Sequence, residues 1–204
     1  MDKTILIVIL VIIFLSINFG RKILIKTTSS KLGNYLYNGD FDNFEKLINK
    51  WYVKYIIYPF NIDFLKLNKA LLSSNDVEIN QCFNGFNKVK MTDKQAEAVY
   101  QKAFYYYLQT DSKNKLKEYY ELISKLEDKH LLNSIEDIYK VYVLKDNTLL
   151  EKYLEKYNNN NNDTNALFII YNIYKNMNDS ENYHKYLDIF NKLLEEGTYI
   201  KDAK

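Results

Sequence analysis

The residues best suited to chemistry are few and far apart. His130 and His184 are the only histidines, 54 positions from one another, and Cys82 is the only cysteine. A single cysteine rules out an internal disulfide and a Cys-rich metal site, and its apolar helical surroundings suit a small buried hydrophobe. HExxH, GxSxG, CxxC and the phosphate-cradling glycine loop are all missing. His130 sits at a helix start in a charged run and His184 beside Lys185, positions that suit caps or solvated faces. The acidic pairs Asp40/Asp42 and Glu195/Glu196 read the same way. The expectation is no catalytic residue, no metal, no cofactor and no enzyme, with a carboxylate-dependent enzyme as the less favoured alternative.

The acids are more informative as architecture. Asp40, Asp76, Asp111, Asp146 and Asp179 are separated by 36, 35, 35 and 33 residues. Each follows a polar or turn-tolerant residue: Gly39, Asn75, Thr110, Lys145 and Asn178. Aspartate is a good helix N-cap, because its carboxylate accepts from the free N–H groups of the first turn. The spacing therefore predicts a tight corner between two helices at each aspartate. Apolar residues at three- and four-residue intervals flank the corners on both sides. Upstream stripes are Phe64, Leu67, Leu71 and Leu72; Val99, Ala103, Tyr106 and Tyr107; Leu131, Ile135, Ile138 and Tyr142; and Leu167, Ile170 and Tyr174. Downstream stripes include Phe41, Phe44, Ile48 and Trp51, then Ile79, Phe83 and Phe86, and finally Tyr183, Leu187, Phe190 and Leu194. Pro59 suits the first turn of a helix, Thr92 caps another, and Asn158 to Asn162 form a polar connection. Five Gly and one Pro in 204 residues are too few for a turn-rich sandwich or barrel. The class is all-α.

Residues 4–19, TILIVILVIIFLSINF, carry no charge. As a helix they rise about 24 Å, slightly short of a ~30 Å hydrocarbon core, a gap that snorkelling by Arg21 and Lys22 could close. A signal peptide would need a better cleavage site, and a buried core helix is the third reading. The cations Arg21, Lys22, Lys26 and Lys31 follow the segment, against Lys3 before it. The positive-inside rule then places the helical domain in the cytoplasm, with an extracytoplasmic domain as the alternative. Net charge is +2 overall; residues 1–26 hold four cations and one acid, leaving 24 basic and 25 acidic residues beyond. Such a mixed body lacks the concentrated basic face that nucleic acid requires. The expected organisation is an anchor with its basic flank at 1–26, a helical repeat domain at 27–198 and a polar tail at 199–204.

Ala98-Val-Tyr-Gln-Lys-Ala-Phe-Tyr-Tyr-Tyr-Leu-Gln-Thr-Asp111 resembles the first helix and corner of a tetratricopeptide repeat. Ala103 stands where that family prefers a small residue, Tyr106 where it prefers tyrosine, and Asp111 in its Gly-Asp corner. Leu32-Gly33-Asn34 followed by Gly39-Asp40-Phe41 resembles the same pattern, one residue shorter. Phe44, Lys115 and Tyr183 occupy positions where the family usually carries a small alanine, so the repeats are degenerate. The resemblance implies a right-handed helical-hairpin solenoid of about five degenerate repeats behind one transmembrane helix, and another hairpin solenoid is the competing fold. It also implies a concave face that binds a peptide or protein. The family's groove positions fall on Glu97, Tyr100, Phe104, Tyr107 and Leu108, and on Asn165, Phe168, Asn172 and Lys175. The expected function is a membrane-anchored interaction scaffold or adaptor; a peptide or small-ligand sensor is the alternative.

Overall fold

The computed structural model describes the backbone of residues 3–202 and the side chains of residues 15–196 except Ile17. Among the described residues every regular element is a helix: α1 (Lys3–Tyr37), α2 (Phe41–Ile48), α3 (Val53–Ile56), α4 (Pro59–Leu72), α5 (Asp76–Phe86), α6 (Asp93–Gln109), α7 (Lys113–Ser124), α8 (His130–Tyr142), α9 (Leu150–Asn159), α10 (Thr164–Asn176) and α11 (Ser180–Asp202). The chain divides into two compact units, residues 1–90 and 91–204.

The expected corners exist, and each is built on one residue with left-handed backbone. These are Gly39 (φ 68°), Ser74 (φ 51°), Asp111 (φ 51°), Lys145 (φ 58°) and Asn178 (φ 58°). At four of the corners the same two backbone bonds close the preceding helix. The left-handed N–H donates three residues back, and the next N–H donates five back: Asp40 to Tyr35, Asn75 to Ala70, Ser112 to Tyr107 and Asp179 to Tyr174, at 2.8–3.1 Å. This is the Schellman closure of a helix C-terminus. The residue that completes it also becomes the N-cap of the next helix, so two residues turn the chain.

The aspartates have different jobs within this scheme. Asp40 and Asp179 are N-caps, accepting from the N–H groups of Asn43 and Asn182 at 3.2 and 3.1 Å. Asp76 is already helical, and Asn75 caps α5 by accepting from Glu78. Asp111 is the left-handed residue itself, with Ser112 in the cap position. The corner at Asp146 is wider: its N–H reaches back six residues to Lys140, and its carboxylate accepts from Thr148 before α9 begins at Leu150. As a result α9 packs chiefly on α10, not on α8. Asp137 of α8 still reaches it, accepting from Lys152 at 2.6 Å and from the Tyr153 hydroxyl at 2.8 Å. Thr92 and Gln95 form a reciprocal capping box, Pro59 opens α4, and Asp163 caps α10.

In the first unit α1 packs on α2, α3 and α4, and α4 on α5. Leu32, Phe44, Leu47, Ile48, Val53, Ile57 and Ile62 form its core. Phe44 is completely buried, so the bulk that the small-residue pattern warned of is absorbed here by packing. Trp51, placed by periodicity in the first downstream stripe, lies instead past the end of α2 and is exposed. In the second unit α6 packs on α7, α7 on α8, and α10 on α8, α9 and α11.

Helix α1 runs without a break from Lys3 to Tyr37, across position 26. Residues 4–14 of the expected anchor lie outside those whose side chains are described, as does the expected tail at 199–204. Among the described residues no helix is long and apolar enough to cross a membrane.

The corners make opposite predictions for one substitution. Left-handed backbone costs a side-chain-bearing residue about 1–2 kcal/mol, partly offset in the glycine variant by a more flexible unfolded chain. Ser74→Gly should therefore stabilise by about 0.5–1 kcal/mol. Asp111→Gly should destabilise, because its carboxylate also accepts from Tyr142. Urea unfolding of both variants measures the two signs; two changes of the same sign would contradict this account of the corners.

Candidate functional site

The chemistry-bearing residues do not converge. Cys82 is half-buried, and burial, followed by the charges of Glu78 and Asp63, pushes its thiol above the ordinary range. His130 and His184 are exposed; Nδ1 of His184 lies 2.7 Å from the Ser180 carbonyl oxygen on its own helix. Among the described residues no group of three His, Cys, Asp or Glu could hold a metal ion.

The second unit holds a groove of about 820 Å³ between α6, α8, α10 and α11. Each helix lends one stripe. Tyr105, Leu108 and Gln109 come from α6, and Ser134, Ile138 and Tyr142 from α8. Thr164, Asn165, Phe168, Tyr171, Asn172 and Lys175 come from α10, and Tyr183, Leu187, Phe190 and Leu194 from α11. The three- and four-residue steps within each set are the helical period, so each stripe stays on one face.

Five rings form a connected wall. Tyr142 stacks on Phe168 at 6.2 Å, and Phe168 meets Tyr171 at 5.4 Å. Phe190 approaches Tyr171 at 5.4 Å and Phe168 at 6.4 Å, while Tyr183 stands 6.2 Å from Tyr171. Tyr142 is fixed from behind, where its hydroxyl donates to Asp111 at 2.9 Å and the Lys113 ammonium lies 5.5 Å from its ring centre. Asn172 is almost fully buried and donates to the Phe168 carbonyl at 2.9 Å. Lys175 is the charged residue among the described lining.

Of the positions that the family resemblance marks, Leu108, Asn165, Phe168, Asn172 and Lys175 line this groove. Glu97, Tyr100, Phe104 and Tyr107 do not. Phe104 is 0 % exposed and Tyr107 5 %. Tyr107 stacks on Tyr119 of α7 at 5.5 Å, and Tyr100 meets the same ring edge-on at 5.8 Å. These rings turn α6 toward α7, so Tyr105 and Gln109 face the groove in their stead. Ile138 and Tyr142 stood in the stripe of Leu131, Ile135, Ile138 and Tyr142, but periodicity does not separate packing from lining positions, and Ser134 was not marked. The four α11 residues stood in the sequence as the last downstream stripe, but the family pattern places the concave face on the first helix of each pair, so they were not marked as lining.

Burial favours the neutral form of Tyr142 and Tyr171. Tyr142 is pushed up to about 12 by burial and then by its bond to the Asp111 carboxylate. Tyr171 is pushed up to about 12 by burial. A folded-state value above the ordinary 10.0 means the stability these groups confer is complete below about pH 10 and is lost as pH rises through about 12. Urea unfolding across pH 9–12 should show a shallower alkaline loss in Tyr171→Phe than in the native chain. At neutral pH Tyr142→Phe should cost about 1.5–2 kcal/mol, the worth of a hydrogen bond to a carboxylate. An unchanged alkaline slope in Tyr171→Phe would contradict the burial argument.

Compared with models of protein families, with curated proteins and with solved structures, the chain matches none.

Proposed function

We propose that this chain is a membrane-attached interaction scaffold, and that the groove of its second unit binds an extended or helical segment of a partner protein. The aromatic wall on α8, α10 and α11 carries the reading. Tyrosine and phenylalanine offer large contact areas with few rotatable bonds, which is why rings of this kind dominate binding energy at interfaces. The hydroxyls of Tyr105, Tyr171 and Tyr183, the exposed Asn165 and the Lys175 ammonium supply polar groups along the same groove. Lys175 favours a partner with an acidic group near the apolar anchor.

The architecture that goes with this reading is a right-handed solenoid of degenerate tetratricopeptide-like hairpins. Its support is the recurrence of a left-handed corner residue at intervals of 33–37 residues and the two-residue closure shared by four of those five corners. Attachment is assigned to the uncharged run 4–19, with the helical domain on the cytoplasmic side by the excess of cations that follows it. Attachment raises the local concentration of whatever the groove meets, so modest affinity suffices.

A second reading is a sensor of a peptide or small ligand, favoured by the size of the groove. About 820 Å³ falls in the range of pockets that enclose small molecules. Thermal-shift screening separates the two, because a ligand that binds only the folded chain raises its melting point without any partner protein.

The scaffold reading is tested by placing a photo-crosslinking residue at Leu194 and irradiating native membranes. Adducts with one protein are expected, and they should fall at least about tenfold in Tyr171→Ala, the loss typical of an anchoring ring. Lys175→Glu, at an exposed position, should weaken capture without moving the melting point. Adducts indifferent to both substitutions would sink the groove as the binding site.

A further inference from the structure

The first unit carries a separate feature, a strongly polar distribution of charge along the α1–α2 hairpin. Residues 20–35 hold Arg21, Lys22, Lys26 and Lys31, and residues 46–58 hold Lys46, Lys50 and Lys54, with no acid in either stretch. Asp40, Asp42 and Glu45 lie between them, at and just after the corner. Because α2 folds back along α1, the two basic stretches meet at the end of the hairpin nearest the apolar N-terminal run, and the corner's acids stay at the other end. Glu45 is occupied there, with Oε2 accepting from Asn49 at 3.0 Å and Oε1 lying 3.5 Å from the Lys69 ammonium.

At the meeting point is a groove of about 420 Å³ between α1, α2 and the segment after it. Lys31, Lys46 and Lys50 line it together with Thr27, Tyr52 and Leu24, and its described lining has no acid. All three lysines are exposed, and none forms an ion pair among the described residues. Three cations held round one concavity without a counter-charge is an arrangement that repels itself and attracts an anion.

Its neighbours say which kind of anion. Leu24, Ile23, Phe19 and Leu15 continue along α1 toward the N-terminus, all of them exposed. From Thr27 to Phe19 is about 12 Å along the helix. On the other side Trp51 and Tyr55 are each 76 % exposed, with Trp51 meeting Tyr52 and Tyr55 edge-on at 6.1 Å. Lysines, exposed tryptophan and tyrosine, and uncovered aliphatic side chains are together the groups that a headgroup layer and the acyl chains beneath it accommodate. A soluble phosphate would account for the lysines but not for the uncovered rings and aliphatic residues beside them.

We propose that this end of the first unit rests on the bilayer, and that the α1–α2 groove takes the phosphodiester headgroup of an anionic phospholipid. Lys31, Lys46 and Lys50 hold the phosphate, Trp51 and Tyr55 seat at the headgroup level, and the side chains of Phe19, Ile23 and Leu24 meet the upper acyl chains while Arg21 and Lys22 reach back to the headgroups. The assignment rests on the reading that residues 4–19 enter a membrane, and it adds lipid selectivity to that attachment.

Trp51 is the only tryptophan in the chain, so its emission reports on this site alone. The full chain is reconstituted into vesicles of phosphatidylcholine, or of phosphatidylcholine with phosphatidylglycerol. In the anionic vesicles the emission should shift to shorter wavelength and be quenched by acyl-brominated lipid, well beyond the response in phosphatidylcholine. Combining K31E, K46E and K50E should abolish that difference. Combining K117E, K125E and K145E, at exposed positions of the second unit, should preserve it. Inorganic phosphate added to phosphatidylcholine vesicles should leave Trp51 unmoved. A chain that stays in the vesicles through an alkaline wash while Trp51 responds equally in both lipids overturns the headgroup site alone, and so does a full response to phosphate. Release of the chain by the wash overturns the attachment reading and the site with it.

Discussion

A helix that ends inside a protein leaves its last carbonyls without partners, and the next helix begins with N–H groups in the same condition. The described corners solve both problems with two residues. One adopts left-handed backbone so that its N–H and its successor's turn back onto the ending helix. The successor then serves the first turn of the new one. The arrangement leaves no length of loop to spare, and consecutive helices are held side by side. Their apolar stripes must face each other or a third helix, and the packing of α6 on α7 and of α10 on α11 follows from that constraint. Where the corner is wider, at Lys145 and Asp146, the pairing changes and α9 goes to α10.

The groove is a consequence of the same geometry. Helices α6, α8 and α10 each precede a corner, and each sends a row of side chains to the cleft that α11 closes. Most of each stripe is consumed by packing: Ile169, Ile170 and Ile173 are buried on one side of α10, which leaves Phe168, Tyr171 and Lys175 for the other. Ties between residues 31–35 positions apart hold neighbouring corners in place. The Tyr142 hydroxyl donates to Asp111, the Glu127 N–H to Asp93 and the Asn176 amide to the Val141 carbonyl.

Helix class and most stripes were legible in the sequence, because three- and four-residue spacing of apolar side chains is a direct image of one helix face. The corner interval was legible too, but not the role of each aspartate. Asn and Asp both tolerate left-handed backbone and both cap helices. Nothing in the pairs Asn75-Asp76 and Asp111-Ser112 shows in advance which residue takes which duty. Trp51 was drawn into a stripe because its spacing fits one, although α2 ends at Ile48 and a separate turn, α3, begins at Val53. The groove was half legible. On α10 the family positions fell on lining residues, whereas on α6 the pull of Tyr119 rotated Tyr100 and Tyr107 away. That competition between neighbouring rings is a tertiary effect and leaves no mark in a one-dimensional pattern.

The two walls of the aromatic groove differ in mechanical compliance. Tyr142 is braced by Asp111 and backed by Lys113, and α8 and α10 are packed on further helices behind them. The α11 side is held chiefly by α10, with a further ring contact from Tyr186 to Tyr157 of α9 at 6.0 Å. The cleft therefore resembles a vice with one fixed jaw and one sprung jaw. Its width depends chiefly on the α10–α11 interface, so a tilt of α11 would change the gap while leaving the braced ring of Tyr142 in place. Segments of different girth can then share one set of anchoring contacts, each bending the same spring by a different amount.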